Sequence, residues 1–280
     1  MSLAPPAADR SGAASPSERH AAERRFHDEW AGSIDPETVT PDQNFAPETA
    51  IENQYVLSRI GDIHGKRILD IGCGAGEAAV YFAQRGAHVT AIDLSGAFLQ
   101  VARRVAERHD AQLALVVGAG EFLPFCDNAF DIVYGHGVLH HLALFDAMRE
   151  VQRILRPGGA AFFIEPLGYN PAIDVYRWMA DNVRTPDERP LRFADIDRLR
   201  PLFRRVEHRE FWLTTQLVFV WFLVGMRVHP ARERYWKKVL YDVDRIRWLF
   251  RPLLRLEKWI MKRFPYLRRY AWNSVISLEK

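Results

Sequence analysis

The stretch "LDIGCGAGEAAV", Leu69 to Val80, decides how this chain is read. Lys66 to Ile71 has the composition of a buried strand, because Ile68, Leu69 and Ile71 form a short apolar run. Glu77 to Gln84 is helical in composition, rich in Ala with Val80, Tyr81 and Phe82. Between the two, Gly72, Gly74 and Gly76 remove every alternate Cβ. A strand-to-helix turn without side chains lets a large group approach the backbone and the amides of the helix N-terminus. From the glycines alone, a tight turn packed against a sheet reads the same way.

The next element separates the two readings. "HVTAIDLS", His88 to Ser95, is a second strand with Val89, Ala91 and Ile92 apolar and Asp93 at its end, 21 residues after Gly72. A carboxylate there can accept hydrogen bonds from the ribose hydroxyls of a nucleoside bound over the glycine turn, whereas by itself it would be a helix cap. A dinucleotide fingerprint would need its third glycine where Glu77 stands. The pattern is instead D-x-G-x-G-x-G, with Asp70 ahead of the first glycine. A carboxylate at that strand end suits a ligand carrying an ammonium group better than a pyrophosphate.

With these features in place, the chain resembles class I S-adenosylmethionine-dependent methyltransferases, in particular the ubiquinone/menaquinone-biosynthesis-like, type 11 branch. The resemblance extends through "GEFLPFCDNAFDIVYGHGVLHHL" (Gly120 to Leu142) and "ILRPGGAAFFIEP" (Ile154 to Pro166), covering roughly residues 64 to 167. It implies a doubly wound, seven-stranded Rossmann-like α/β sheet with the last strand antiparallel. It implies S-adenosyl-L-methionine as cofactor and S-adenosyl-L-homocysteine as product. Asp70, Gly72, Cys73 and Gly74 would hold the amino-acid end of the cofactor, Asp93 the ribose, and Leu94 the adenine face. Many relatives carry an acid for the adenine amino group where this chain has Ala119, so that task falls to backbone groups near Gly120, to Glu121 or to Phe122.

Chemistry is expected at the end of the fourth strand, because open α/β sheets bind ligands outside the carboxyl ends of their strands. "YGHGVLHHL" places His136, His140 and His141 there. Methyl transfer needs a held nucleophile and, for a hydroxyl or an acidic carbon, a base, a task neutral histidine suits near pH 7. His136 is a candidate for the cofactor side, His140 and His141 for the base, although His140 and His141 would also suit a helix start. Glu165, at the end of the fifth strand, is a candidate proton acceptor or the partner of Arg177 or Arg184. In "EPLGYNPAIDVYRW" the prolines shape a loop whose Tyr169 and Asn170 are candidates for the substrate pocket. Ahead of the core, "RRFHDEWAGS" (Arg24 to Ser33) reads as a short helix. Similar segments lie over the cofactor in this family, which makes Phe26, His27 and Trp30 candidates for a lid.

The rest of the 280 residues supplies context. Residues 1–20 are Ala/Pro/Ser-rich, without an apolar run of signal-peptide length, and are expected to be a disordered tail. Two cysteines give no disulfide framework and no metal-ligand cluster, so a cytoplasmic setting is expected and no metal. "RRVEHREFWLTT" and "YAWNSVISLEK" supply a sixth and a seventh strand, so the core spans residues 21–213 and 269–280. Between them, residues 214–268 exceed what the minimal fold needs and are expected to form a helical cap. They begin with the apolar "QLVFVWFLVGM", too short to span a bilayer. From Arg227 to Tyr270 there are 14 Lys and Arg against 4 Asp and Glu, a net of +10 in a chain whose total is +3. Six of the eight tryptophans fall between Trp212 and Trp272. Basic amphipathic helices with tryptophan at their edges are the composition of a surface that meets anionic membrane; a solvated structural cap is the alternative, and nucleic acid suits the apolar content less well.

The expectation is therefore methyl transfer to a small, lipophilic or aromatic acceptor, on oxygen or carbon. The rival from another class is a non-catalytic membrane-surface or adaptor protein that keeps the fold, against which the joint presence of Asp70 and Asp93 argues. A nicotinamide-dependent oxidoreductase is disfavoured by the glycine spacing.

Overall fold

A computed structural model describes residues 16–179 and 189–280. Its centre is a seven-stranded sheet in the order β3-β2-β1-β4-β5-β7-β6. The strands are β1 (Arg67–Ile71), β2 (His88–Asp93), β3 (Leu113–Val117), β4 (Phe130–His136), β5 (Leu155–Pro166), β6 (Arg205–Phe211) and β7 (Asn273–Glu279). The first five pair in parallel, and β7 runs antiparallel between β5 and β6. Both C-terminal strands lie where the sequence places them, with the helical insertion between.

Side-chain alternation along the strands builds two cores, since neighbouring residues point to opposite faces. Ile68, Ile132 and Tyr134 face one layer with α2 (Ile51–Ile60), α3 (Glu77–Ala83) and the C-terminal helices. Leu69, Val133 and Phe163 face the other, where α5 (Leu144–Ile154) contributes Met148, Val151 and Ile154. Strand order reverses between β1 and β4, and a crevice opens there at the strands' carboxyl ends.

Two further pieces close over that crevice. The first is α1, which runs from Pro16 to Gly32 and so starts well before Arg24. Positions 1–15 of the expected tail lie outside the described residues; positions 16–20 are helix, with Pro suited to a first turn and Glu18 favourable at the N-terminal end. Polar clamps hold this helix more than an apolar stripe does. Asp28 accepts from the Ser95 hydroxyl at the start of α4 (Gly96–Arg108), and Trp30 meets Phe98 edge to face, their ring centroids 5.3 Å apart.

Between β5 and β6 the chain forms α6 (Pro171–Met179) and α7 (Phe193–Asp197). The second piece is the insertion between β6 and β7. It consists of α8 (Leu217–Val220) running into a π-helical turn at Trp221–Gly225, then α9 (Tyr235–Tyr241) and α10 (Val243–Arg263). The apolar run is thus only half buried: Val218 and Phe222 are covered while Val220 and Val224 face outward. On α10, Ile246 and Phe250 are buried, and Glu257 lies on the same face. Its carboxylate accepts the backbone N–H groups of Trp212, Leu213, Thr214 and Thr215 and the Thr215 hydroxyl, at distances between 2.7 and 3.1 Å. One buried acid thus fastens the basic helix to the turn that leaves β6.

Candidate active site

Gly72 and Gly74 show what the glycine turn is for. Both have positive φ, +68° and +51°. A Cβ on Gly72 would meet Val138 at 2.7 Å, so this position serves close packing. A Cβ on Gly74 would meet nothing within 4 Å: this part of the turn is left open. The Gly74 N–H donates to Asp93 Oδ2 at 2.9 Å and the Ser95 N–H to Asp93 Oδ1 at 2.8 Å, which ties the turn to the end of β2. Each carboxylate oxygen keeps a further lone pair for a ligand hydroxyl. Burial raises the Asp93 pKa, and those two N–H groups oppose it.

Asp70 is the more telling acid. It is buried at the end of β1, and its Oδ2 has no hydrogen-bond partner among the described residues. Burial, with Asp93 and then Glu77 adding repulsion, pushes its pKa up to about 8. An orphaned buried carboxylate is costly, and an ammonium group would complete it. S-adenosylmethionine fits these groups, with Asp70 for its ammonium and Asp93 for its ribose.

Gly72, Cys73, Gly74, Leu94, Gly120, Glu121 and His136 line the same cavity, of about 420 Å³. Burial lowers the His136 pKa and keeps its imidazole neutral. Glu121 is already engaged: Oε1 accepts from Arg19 at 2.8 Å and from the Ala143 N–H at 2.9 Å, and His20 lies 3.4 Å from Oε2. The helix α1 therefore reaches over the end where the sequence looks for adenine contacts.

His140 and His141 also line the cavity, their rings 4.1 Å apart, and each has its own carboxylate. His141 Nδ1 lies 3.1 Å from Glu23 of α1. His140 Nδ1 lies 2.7 Å from Glu165 Oε2. Glu165 is fully buried and absent from the cavity wall. It also accepts the N–H groups of Val138, Leu139 and His140, so it positions the turn rather than meeting a substrate. Burial pushes its carboxyl up, but the His140 ring and these N–H groups outweigh burial and hold its pKa below the usual value. Arg184 and the Arg177 side chain, its other suggested partners, lie outside the described residues.

Of the expected lid and substrate residues, His27 and Trp30 line the cavity and Phe26 does not; Phe26 packs edge-on against His27. Tyr169 and Asn170 are likewise elsewhere. The Tyr169 hydroxyl accepts the Phe193 N–H at 3.0 Å, and Asn170 bridges Gln216 and the Tyr270 carbonyl. Both were drawn to loop-fastening because a shaped loop needs its own polar partners. The far wall comes instead from residues that sequence reading did not assign to a pocket: Ile173, Tyr176, Phe219 and Arg234, with Trp212 and Trp272, which it had placed in the tryptophan-rich surface element. They belong to the loop after β5, the insertion and its return to β7, and only tertiary structure brings them together. At its polar edge, Tyr134 donates to Asn53 at 2.8 Å, and Glu52 accepts from Asn273 at 2.9 Å.

A nucleoside turn and strand-end acids at the switch point of an open sheet define a domain of the class I methyltransferase type. Comparison with known proteins agrees: residues 69–163 match the Methyltransferase domain family, and this stretch is a class I S-adenosylmethionine-dependent methyltransferase domain of the type 11 branch. The chain is 38% identical over 133 residues to a fatty-acid O-methyltransferase of Mycolicibacterium smegmatis, covering 46% of each protein. It is 40% identical over 119 residues to a ubiquinone biosynthesis O-methyltransferase of Alkalilimnicola ehrlichii, covering 42% of this chain and 48% of that one. The chain thus spans less than half the length of these two relatives. Among solved structures, phosphoethanolamine N-methyltransferase 2 of Haemonchus contortus in complex with S-adenosyl-L-methionine shares the fold, with a TM-score of 0.57 at 21% identity over 96% of this chain and 60% of that one.

Proposed function

We propose that this protein transfers a methyl group to the oxygen or carbon of a small lipophilic acceptor. The observation that carries this is one cavity running from the Asp70–Gly74 turn to an aromatic chamber walled by Trp212, Phe219 and Trp272. When bound, S-adenosylmethionine supplies a methyl group on a cationic sulfur and leaves as S-adenosylhomocysteine. Asp70 and Asp93 hold it and the lid excludes water. His140, with its Nδ1–H directed at Glu165, presents Nε2 as acceptor for the proton that a neutral hydroxyl or an acidic carbon must lose.

An acceptor of this kind resides in or near lipid, and the insertion has a surface suited to meet it. Trp248 and Trp259 on α10 are each 60% exposed, and Val224 on the π-helical turn after α8 is 70% exposed. Arg255, Lys258 and Lys262 are exposed on the same helix. Tryptophan with basic residues supports peripheral contact with an anionic membrane. Among the described residues, no helix is long and apolar enough to cross one.

Calorimetry with S-adenosylhomocysteine tests the cofactor half. Asp93→Ala should weaken binding by about tenfold or more, since charge-assisted hydrogen bonds are lost, and NAD should not compete. Unchanged binding by the variant would remove the nucleoside assignment.

A further inference from the structure

The charges around the cavity leave one cation over. Lys237 pairs with Glu77 at 3.4 Å, Arg19 with Glu121 and His141 with Glu23. Asp70 is completed by the cofactor's ammonium. Arg234 is different. Its guanidinium lines the cavity, and no carboxylate among the described residues lies within ion-pair distance. Burial pulls its pKa down to about 10, so it remains charged at neutral pH. It stacks 3.5 Å above the Trp30 ring of the lid, a contact that uses the face of the guanidinium and leaves its N–H edge for hydrogen bonds.

A second group points the same way. Tyr176 also lines the cavity, and its buried hydroxyl has no hydrogen-bond partner among the described residues. Burial raises its pKa; the Tyr235 backbone N–H beside its oxygen, and then the nearby Arg234 charge, oppose that rise, while its O–H is left to donate. A desolvated cation and an unsatisfied hydroxyl in one chamber both await an acceptor of hydrogen bonds. Around them, Ile173, Phe219 and Trp272 offer apolar surface.

We infer that the acceptor is an amphiphilic acid, its anionic group bound by Arg234 and Tyr176 and its apolar body in the aromatic chamber. This rests on the methyl-transfer reading for the identity of the ligand as acceptor, though the anion site itself does not. Arg234, contributed by the insertion, would close on the lid through Trp30 and on the acceptor through its N–H edge, so that acceptor binding and lid closure share one side chain.

Quenching of tryptophan fluorescence in the full-length protein loaded with S-adenosylhomocysteine tests this, with dodecanoate and dodecanol as probes. Dodecanoate should bind at least tenfold more tightly than dodecanol. Arg234→Gln should lower dodecanoate affinity at least tenfold more than it lowers dodecanol affinity, so that the preference between the two probes collapses. Arg234→Lys should retain part of the preference, and Tyr176→Phe should cost dodecanoate a few-fold. Equal binding of the two probes by wild type overturns the inference and leaves methyl transfer standing. An unchanged dodecanoate preference in Arg234→Gln overturns it as well. Failure of wild type to bind S-adenosylhomocysteine, with the dodecanoate preference intact, would instead sink the methyl-transfer reading.

Discussion

The Glu165 carboxylate lies 2.7 Å from Nδ1 of His140, joining the end of β5 to the turn that follows β4. It also accepts three backbone N–H groups of that turn, so one buried acid sets both the path of the loop and the tautomer of the ring. Glu165→Ala leaves those N–H groups unsatisfied, at about 1–3 kcal/mol each, and should lower the melting temperature. Glu165→Gln keeps most of the packing. It should retain the fold and cut kcat by about 10-fold or more through loss of ring orientation. Wild-type kcat in Glu165→Gln would show that the pairing has no catalytic consequence.

Turnover of a neutral acceptor should depend on the Nε2 lone pair of His140, the ring nitrogen that Glu165 leaves free. His140→Asn should lower kcat by about 10-fold or more on a neutral acceptor while sparing S-adenosylhomocysteine affinity. Wild-type kcat in His140→Asn would move the proton transfer to another group.

Asp70 opposes stability to function. Its pKa is 3.8 when unperturbed and about 8 in the fold. Between those values the folded state holds a proton that the unfolded state does not, so this stabilising contribution is lost as pH rises through about 8. Asp70→Asn should therefore melt higher than wild type above that pH while binding no cofactor. In wild type the proton must leave before an ammonium can pair. S-adenosylhomocysteine affinity should then weaken by up to about tenfold per pH unit below that value. Pairing of melting curves with calorimetry checks both signs; a variant that melts lower would contradict the account.

Much of this was legible in the sequence because the informative residues are local. The glycines, Asp70 and Asp93 sit within two strand ends, and the strands on either side are short apolar runs with fixed side-chain alternation. The acceptor chamber was not legible, since Tyr176, Trp212, Arg234 and Trp272 come from separate elements and carry no common spacing. Arg234 was hidden in a basic run whose other members are exposed or paired. Glu257 did leave a signal: Ile246, Phe250, Leu253, Glu257 and Ile260 recur at three-and-four spacing, which puts an acid on an otherwise apolar stripe.

That acid gives a prediction for the insertion. Glu257→Ala strands four backbone N–H groups in the turn after β6 and should destabilise the protein by about 3 kcal/mol or more. Thermal melts should show it, with Glu257→Gln intermediate. An unchanged melting temperature would mean that the insertion is held by its apolar face alone.

For the membrane surface, Arg255, Lys258 and Lys262 changed together to Glu should abolish co-sedimentation with anionic vesicles at low salt and spare cofactor affinity. Wild-type binding should itself weaken as salt rises. Wild type remaining in the supernatant at low salt would reduce the insertion to a wall of the chamber.

The most direct test of the central claim follows the methyl group itself. Purified protein is incubated with S-adenosylmethionine labelled in its methyl carbon and a bacterial lipid extract, and the label is traced into the organic phase by mass spectrometry. The account predicts a labelled lipophilic product from wild type and none from Asp70→Asn. Absence of label from wild type that binds S-adenosylmethionine, across extracts of differing lipid content, would contradict it.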